Sequence, residues 1–387
     1  MWRYYPSAQP SRAIDPHANV WTHPRMQRFV ILGLVCLATL VGSSPDLTGV
    51  RIAQLAAPYR WGAVGWEAEH LAEGAGEIAN QLFHPSDDQS VVADVRALLQ
   101  SARAGPVGGD RRVSSLVAGV VAFELRRHGA PSLGRVVVPP VTLALTQPLQ
   151  LLVVSPRDEI RESYWALLEG GTPSTVAPVL EKAVEDLGVS ALVVDRIAIA
   201  TYPTLIPVDT SPAAILQTAA HEWTHTALFF TRLGQAYGSS PSARAINETT
   251  ADIVGAEIGD ALDRNAGIGT KTEESQARDR AFTARMRAIR QRVDVLLAEH
   301  EVDRAEAYME EQRLLLVSQG YRIRRLNQAY FAFFGNYAEG PSATTEIVDS
   351  VRAIRDRSGT LADFLGEVGQ VTTIEELRGL VARKAAR

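Results

Sequence analysis

The chain has 387 residues, an apolar fraction of 46% and a formal net charge of −5. That is enough apolar material for one large core or two modest ones, and the acidic balance excludes a generic nucleic-acid-binding surface. Cys36 is the single cysteine, which excludes both an intrachain disulfide framework and a cysteine-based zinc site.

Residues 1–28 are rich in Pro, His and aromatics without periodicity. They read as a disordered cytoplasmic N-terminus or as an over-called start, with Met26 as the true one. The run "FVILGLVCLATLVG" follows, at residues 29–42. It is shorter than the about 20 residues of an ordinary span and suits a signal peptide or a single signal-anchor helix over 29–45. Arg3, Arg12, Arg25 and Arg28 outnumber Asp15 ahead of it. The positive-inside bias then places the rest of the chain outside the cytoplasm, exported or tethered to the membrane. The alternative is a buried core helix. No later apolar run reaches spanning length, which argues against an intramembrane protease.

Residues 50–133 read as a helical N-terminal region. "WEAEHLAEGAGEIANQLF" spaces its apolar residues by three and four, and "SLVAGVVAFELRRHG" ends on a glycine stop signal. From residue 134 the period changes. "GRVVVPPVTLALTQPLQLLVVSPRDEI" and "ALVVDRIAIATYPTLIPVD" read as short strands with a helix between them. A further helix then starts near Pro212, with cap candidates at Asp209 to Ser211.

This helix carries "HEWTH". His221 and His225 are one turn apart and project from one face, as two ligands of a shared Zn²⁺ do. Glu222, rotated by about 100°, can lean over a water at such a metal and act as general base. The alternative is a pair of ordinary histidines. The apolar neighbours Ala219, Ala220, Leu228 and Phe229 weaken it, because burying these polar groups without partners is costly. A third histidine in the metzincin pattern is excluded, since Leu228 stands where Gly is required and Thr231 where His is required.

The next helix offers "NETTAD", in which Glu248 and Asp252 share a face. Glu248 can supply the third ligand, with Asp252 hydrogen-bonding the outer nitrogen of a ligand histidine. The rival assignment exchanges the two. Thr249, Thr250, Ala251 and Gly255 are small enough for two helices to approach closely. Asn247 opens an "NET" glycosylation match, discounted because a glycan would clash with a buried ligand next door. Residues 265–387 read as a helical C-terminal region with a long charged hairpin.

The "HEWTH" and "NETTAD" helices, over about residues 190–262, resemble the gluzincin metallopeptidases. The resemblance implies an α+β chain with a zincin-like catalytic domain at 134–264, a small mixed sheet and an active-site helix. It implies zinc held by His221, His225 and Glu248, with Glu222 as base and Asp252 supporting. It also implies a strand "RIAIATYP" at the substrate edge, where an extended peptide can pair. The segment "RRLNQAYFAFFGNY" resembles more loosely a family of predicted exported bacterial aminopeptidases, through Asn327, Ala329 and Tyr337.

A gluzincin also needs a donor for the oxyanion. Tyr337 is the first candidate, followed by Tyr330 and Tyr321, although any of these reads equally as a core aromatic. An exopeptidase would need an acid for the free α-amine. Glu310 and Glu311 are available but equally read as a solvated face. The expected function is a zinc metallopeptidase acting on peptides or proteins. The alternative is a catalytically silent, membrane-tethered binding or sensor protein on the same scaffold.

Overall fold

The computed structural model describes residues 47–83, 111–170, 172–173, 175–207, 212–266, 273–335 and 345–385. The expected signal or anchor segment at 29–45, the helix caps at Asp209 to Ser211, and Tyr337 lie outside these residues. Among the described residues no helix is long and apolar enough to cross a membrane.

The chain is α+β. Helices α1 (Leu47–Ala56), α2 (Ala63–Phe83) and α3 (Arg111–Arg127) come first. Seven strands follow: β1 (Ser132–Leu133), β2 (Val136–Val137), β3 (Leu143–Thr146), β4 (Leu149–Pro156), β5 (Tyr164–Leu168), then α4 (Val176–Glu185), β6 (Val189–Ile197) and β7 (Thr204–Pro207). The remainder is helical: α5 (Pro212–Leu228), α6 (Arg232–Gln235), α7 (Pro241–Ala266), α8 (Glu273–Ala298), α9 (Val302–Ser318), α10 (Gln328–Phe334), α11 (Thr345–Asp356), α12 (Leu361–Val368) and α13 (Ile374–Ala385).

The small mixed sheet expected from the sequence is divided into separate pieces. β4 lies between β5 and β6 in an antiparallel three-stranded sheet, and β3 pairs in parallel with β7. The period-2 geometry of a strand explains the nearly continuous apolar run of β4. Leu152 and Val154 face a core shared with α1 and α4, while Leu151 and Val153 face α10 from the other side. Both faces of the sheet are covered.

The division falls within "RIAIATYP". β6 ends at Ile197, after Arg196 adopts a left-handed φ of 62°, a conformation uncommon for a residue with a Cβ. Residues 198–203 leave the ladder except for one bridge between Ile199 and Leu205. The strand that leads into α5 is instead β7, which is buried along its whole length. The expected open strand edge for a peptide therefore does not run through 196–203.

α5 and α7 lie against one another within the largest core. α5 contributes Ile215, Leu216, Ala219, Ala220, Trp223 and Leu228. α7 contributes Ala243, Ile246, Val254, Ile258 and Leu262. The same core takes in α3, β3 and β7 together with α11 to α13. Residues from all three regions expected from the sequence thus share one core. The α8–α9 hairpin packs separately, with α10.

Candidate metal centre

The buried faces of α5 and α7 are apolar except at one level. There His221 and His225 on α5 meet Asn247, Glu248 and Asp252 on α7. Close passage of the helices makes this possible. A Cβ on Gly255 would stand 2.9 Å from the carbonyl oxygen of Gln217, so only a glycine lets the backbones come this near.

His221 Nε2 and His225 Nε2 are 3.1 Å apart. Glu248 Oε2 lies 3.6 Å from the first and 3.4 Å from the second. These three ligand atoms fall within 4.8 Å of one another. Glu248 is only 3% exposed, and its Oε2 is buried with no hydrogen-bond partner among the described residues. The outer nitrogens are engaged elsewhere. His221 Nδ1 is 3.0 Å from Asp252 Oδ1, and His225 Nδ1 is 2.7 Å from Asn247 Oδ1.

Those two partners decide the chemistry of the rings. A carboxylate oxygen and an amide oxygen can only accept, so both Nδ1 atoms carry the protons. With both rings neutral, two Nε2 lone pairs would point toward each other and toward Oε2 of Glu248. Three converging lone pairs repel one another, and a cation among them converts the repulsion into coordination. Two imidazoles and one carboxylate oxygen can therefore hold a metal ion here. In the described structure the excess of acceptors acts on protons instead. Burial works against a charged His221, but Asp252 and Glu248 overcome it and hold the imidazole well above its ordinary pKa. Burial likewise opposes ionisation of Glu248, yet His225 and His221 hold its carboxyl below the usual range.

Glu222 is 7% exposed. Burial raises its carboxyl pKa, with His221 and His225 pulling in the opposite direction. The neighbouring α5 residues are fixed in place: Trp223 Nε1 donates to Pro139 O at 2.8 Å, and Thr224 Oγ1 donates to Ala220 O at 2.8 Å. Thr231 caps α6 by accepting from Gly234 N.

The geometry separates the two candidate carboxylates. Glu248 faces the inner nitrogens, and Asp252 faces an outer one. Two further residues belong to the site. Asn247 carries the acceptor for His225; its place one residue before Glu248 was the signal that could have identified it. Tyr237 donates its hydroxyl to Glu248 Oε1. Its only sequence signal is its position between the two helices.

The other tyrosines expected from the sequence lie elsewhere. Tyr321 stacks on Phe282 with ring centroids 4.8 Å apart, and its hydroxyl reaches Arg278 O. Tyr330 packs against Phe331 and Phe334, and burial there raises its pKa. Both sit in the α8–α10 core, away from α5, because their aromatic surface fills that core. Glu310 and Glu311 are exposed on α9, and Glu310 pairs with Arg313 at 2.6 Å. Asn327 serves as a structural link: it accepts from Tyr330 N at 3.0 Å to cap α10 and donates to Ala191 O at 2.8 Å. Comparison of the chain with protein-family models, with curated proteins and with solved structures finds no match.

Proposed function

We propose that this chain is a zinc-dependent metallopeptidase of the gluzincin type, with a zincin-like centre formed by α5 and α7. The carrying observation is the unpartnered, buried Oε2 of Glu248 beside two histidine Nε2 atoms whose rings are oriented from behind. His221, His225 and Glu248 would hold the zinc. Two histidines and one carboxylate are a donor set suited to Zn²⁺, and three protein ligands leave one position open.

Bound there, zinc would supply a Lewis acid that polarises a substrate carbonyl and brings the pKa of water toward 7. The chain's own contribution is proton handling and exclusion of solvent. Glu222 takes the proton of the attacking water on its carboxylate and returns it to the leaving amine. Its burial supports this role, since a desolvated carboxylate is a stronger base than an exposed one. Asp252 and Asn247 keep both imidazoles in the tautomer that points a lone pair inward. Tyr337 is the proposed donor to the oxyanion, and the substrate a peptide or protein met outside the cytoplasm.

The test is zinc analysis and digestion of a peptide library with the wild type and Glu222→Gln side by side. Both proteins should carry zinc, and only the wild type should cleave. Zinc-dependent cleavage that survives the substitution removes Glu222 from the mechanism. Zinc uptake without cleavage by either protein would favour a binding or sensor role for the same site.

A further inference from the structure

We infer that Tyr237 is a positioning residue that fixes Glu248 so that it offers one oxygen, and only one, to the metal. The inference rests on the metal reading above but concerns a residue outside the ligand set. Glu248 divides its two oxygens between two kinds of neighbour. Oε1 accepts the Tyr237 hydroxyl, whereas Oε2 has no hydrogen-bond donor and faces His221 and His225. A carboxylate held by one oxygen in this way cannot rotate to present both. The donor set then stays at two nitrogens and one oxygen, with a position left open for water.

Tyr237 is itself held from two sides. Its ring meets His225 edge-on, with centroids 5.9 Å apart at 76°. The Arg244 guanidinium lies over the ring, 5.4 Å from its centroid, and Arg244 Nε donates to Tyr237 O at 3.4 Å. Arg244 in turn pairs with Glu162, just ahead of β5. The β4–β5 loop, through Arg244 of α7, and the α6–α7 turn thus hold one phenol in place. A purely structural tyrosine would need none of this alignment with a ligand carboxylate.

The experiment uses the full chain, wild type and Tyr237→Phe, with Zn²⁺ and Co²⁺ as probes. Zinc affinity is measured by chelator competition, Co²⁺ coordination by visible absorption, and the metal-free fold by thermal melting. Tyr237→Phe should weaken zinc binding by about 10–100-fold, as loss of a partner behind a metal ligand typically does. Its Co²⁺ bands should lose intensity as Glu248 turns its second oxygen to the metal and the coordination number rises. Arg244→Gln, which leaves the hydroxyl but removes the cation over the ring, should shift both readouts in the same direction by less. A Tyr237→Phe protein with the wild-type zinc Kd and Co²⁺ spectrum overturns the role, as does one that only melts earlier. A wild type that takes up neither metal overturns the metal reading itself, a distinct outcome.

Discussion

Gly255 lies directly against His221: a Cβ built on the glycine would stand 3.1 Å from the histidine Cβ and 3.4 Å from its amide nitrogen. One turn on, Gly259 approaches Gln217 in the same way, with a Cβ-to-Cβ distance of 3.1 Å. α7 therefore passes α5 at backbone contact beside His221. The separation of the helices sets the reach of Glu248 and Asp252.

Gly255→Ala tests this directly. Alanine favours a helix over glycine by about 1 kcal/mol. Against that, the new methyl would meet the Gln217 carbonyl oxygen at 2.9 Å, and a backbone atom yields only if a helix moves. Overpacking of this kind costs about 1–3 kcal/mol, so the net effect should be a loss of stability together with weaker zinc binding. Gly366→Ala on α12 is the control, because nothing lies within 4 Å of its Cβ position. It should gain up to about 1 kcal/mol. Equal gains in melting temperature for both variants would show that the helices are not in limiting contact.

The two acceptors behind the histidines make a second prediction. Asp252→Ala and Asn247→Ala each remove the group that holds a proton on Nδ1, and each should weaken zinc binding by about 10–100-fold. Asn247→Asp keeps an acceptor oxygen at the same place and should bind zinc more tightly than Asn247→Ala. Chelator competition on the three variants decides the matter. Identical affinity for Asn247→Ala and the wild type would deny the amide any part in orienting His225.

The grouping of His221, His225 and Glu248 was legible because it follows helix periodicity: residues four apart share a face wherever the helix lies. The expectation puts Glu248 inside and Asp252 behind, with their exchange as the rival. The contacts of Glu248 with both Nε2 atoms and of Asp252 with Nδ1 depend on how far α7 slides along α5, which the helical period does not show. Asn247 and Tyr237 were missed for a related reason. Asn247 points at His225 only because the glycines bring the helices together, and Tyr237 reaches Glu248 only through the turn after α6. The strand "RIAIATYP" failed because its content of Ile, Thr and Tyr says nothing about a left-handed residue such as Arg196. β-propensity describes the surface a residue can cover, not where a ladder ends.

Glu181 carries a third prediction, concerning stability rather than the site. Its carboxylate is fully buried on α4. It accepts from Val193 N on β6 at 2.6 Å and from both Nη atoms of Arg324 at 2.6 Å, with Arg325 Nε at 3.2 Å. This one group ties α4 and β6 to the segment between α9 and α10. Glu181→Ala leaves the Val193 amide unpaired and two arginines without their shared anion, a loss of about 3–5 kcal/mol. Arg324 is partly exposed and can regain water, which favours the lower end of that range. Glu181→Gln retains an acceptor for Val193 and should lose less. Urea midpoints of the two variants should therefore fall in that order, and a wild-type midpoint for Glu181→Ala would dismiss the tie.

His128 makes stability depend on pH. Its Nε2 lies 3.2 Å from Glu124 Oε1 and its Nδ1 2.6 Å from Glu257 Oε1, so both nitrogens face carboxylates. Hydrogen bonds to Glu124 and then Glu257 push the imidazole up to about 9, against the opposing effect of burial. Burial tends to raise Glu257, but His128 and Arg355 outweigh it and hold its carboxyl at about 2. Arg355 binds both Glu257 oxygens, at 2.6 and 2.7 Å, and so joins α11 to α7. The signs follow from linkage. The folded pKa of His128 lies above its unfolded value of about 6.5, so its contribution is complete below about pH 6.5 and is lost as pH rises through about 9. Glu257 behaves in the opposite sense: its contribution is complete above its unfolded pKa and is lost as pH falls toward about 2. His128→Gln keeps a hydrogen-bonding side chain but removes the titration. The stability advantage of the wild type over this variant, on the order of 1 kcal/mol after solvent screening, should be present at pH 6 and absent at pH 10. Urea unfolding of both proteins at the two pH values measures it, and parallel pH profiles would show that folding leaves the pKa of His128 unchanged.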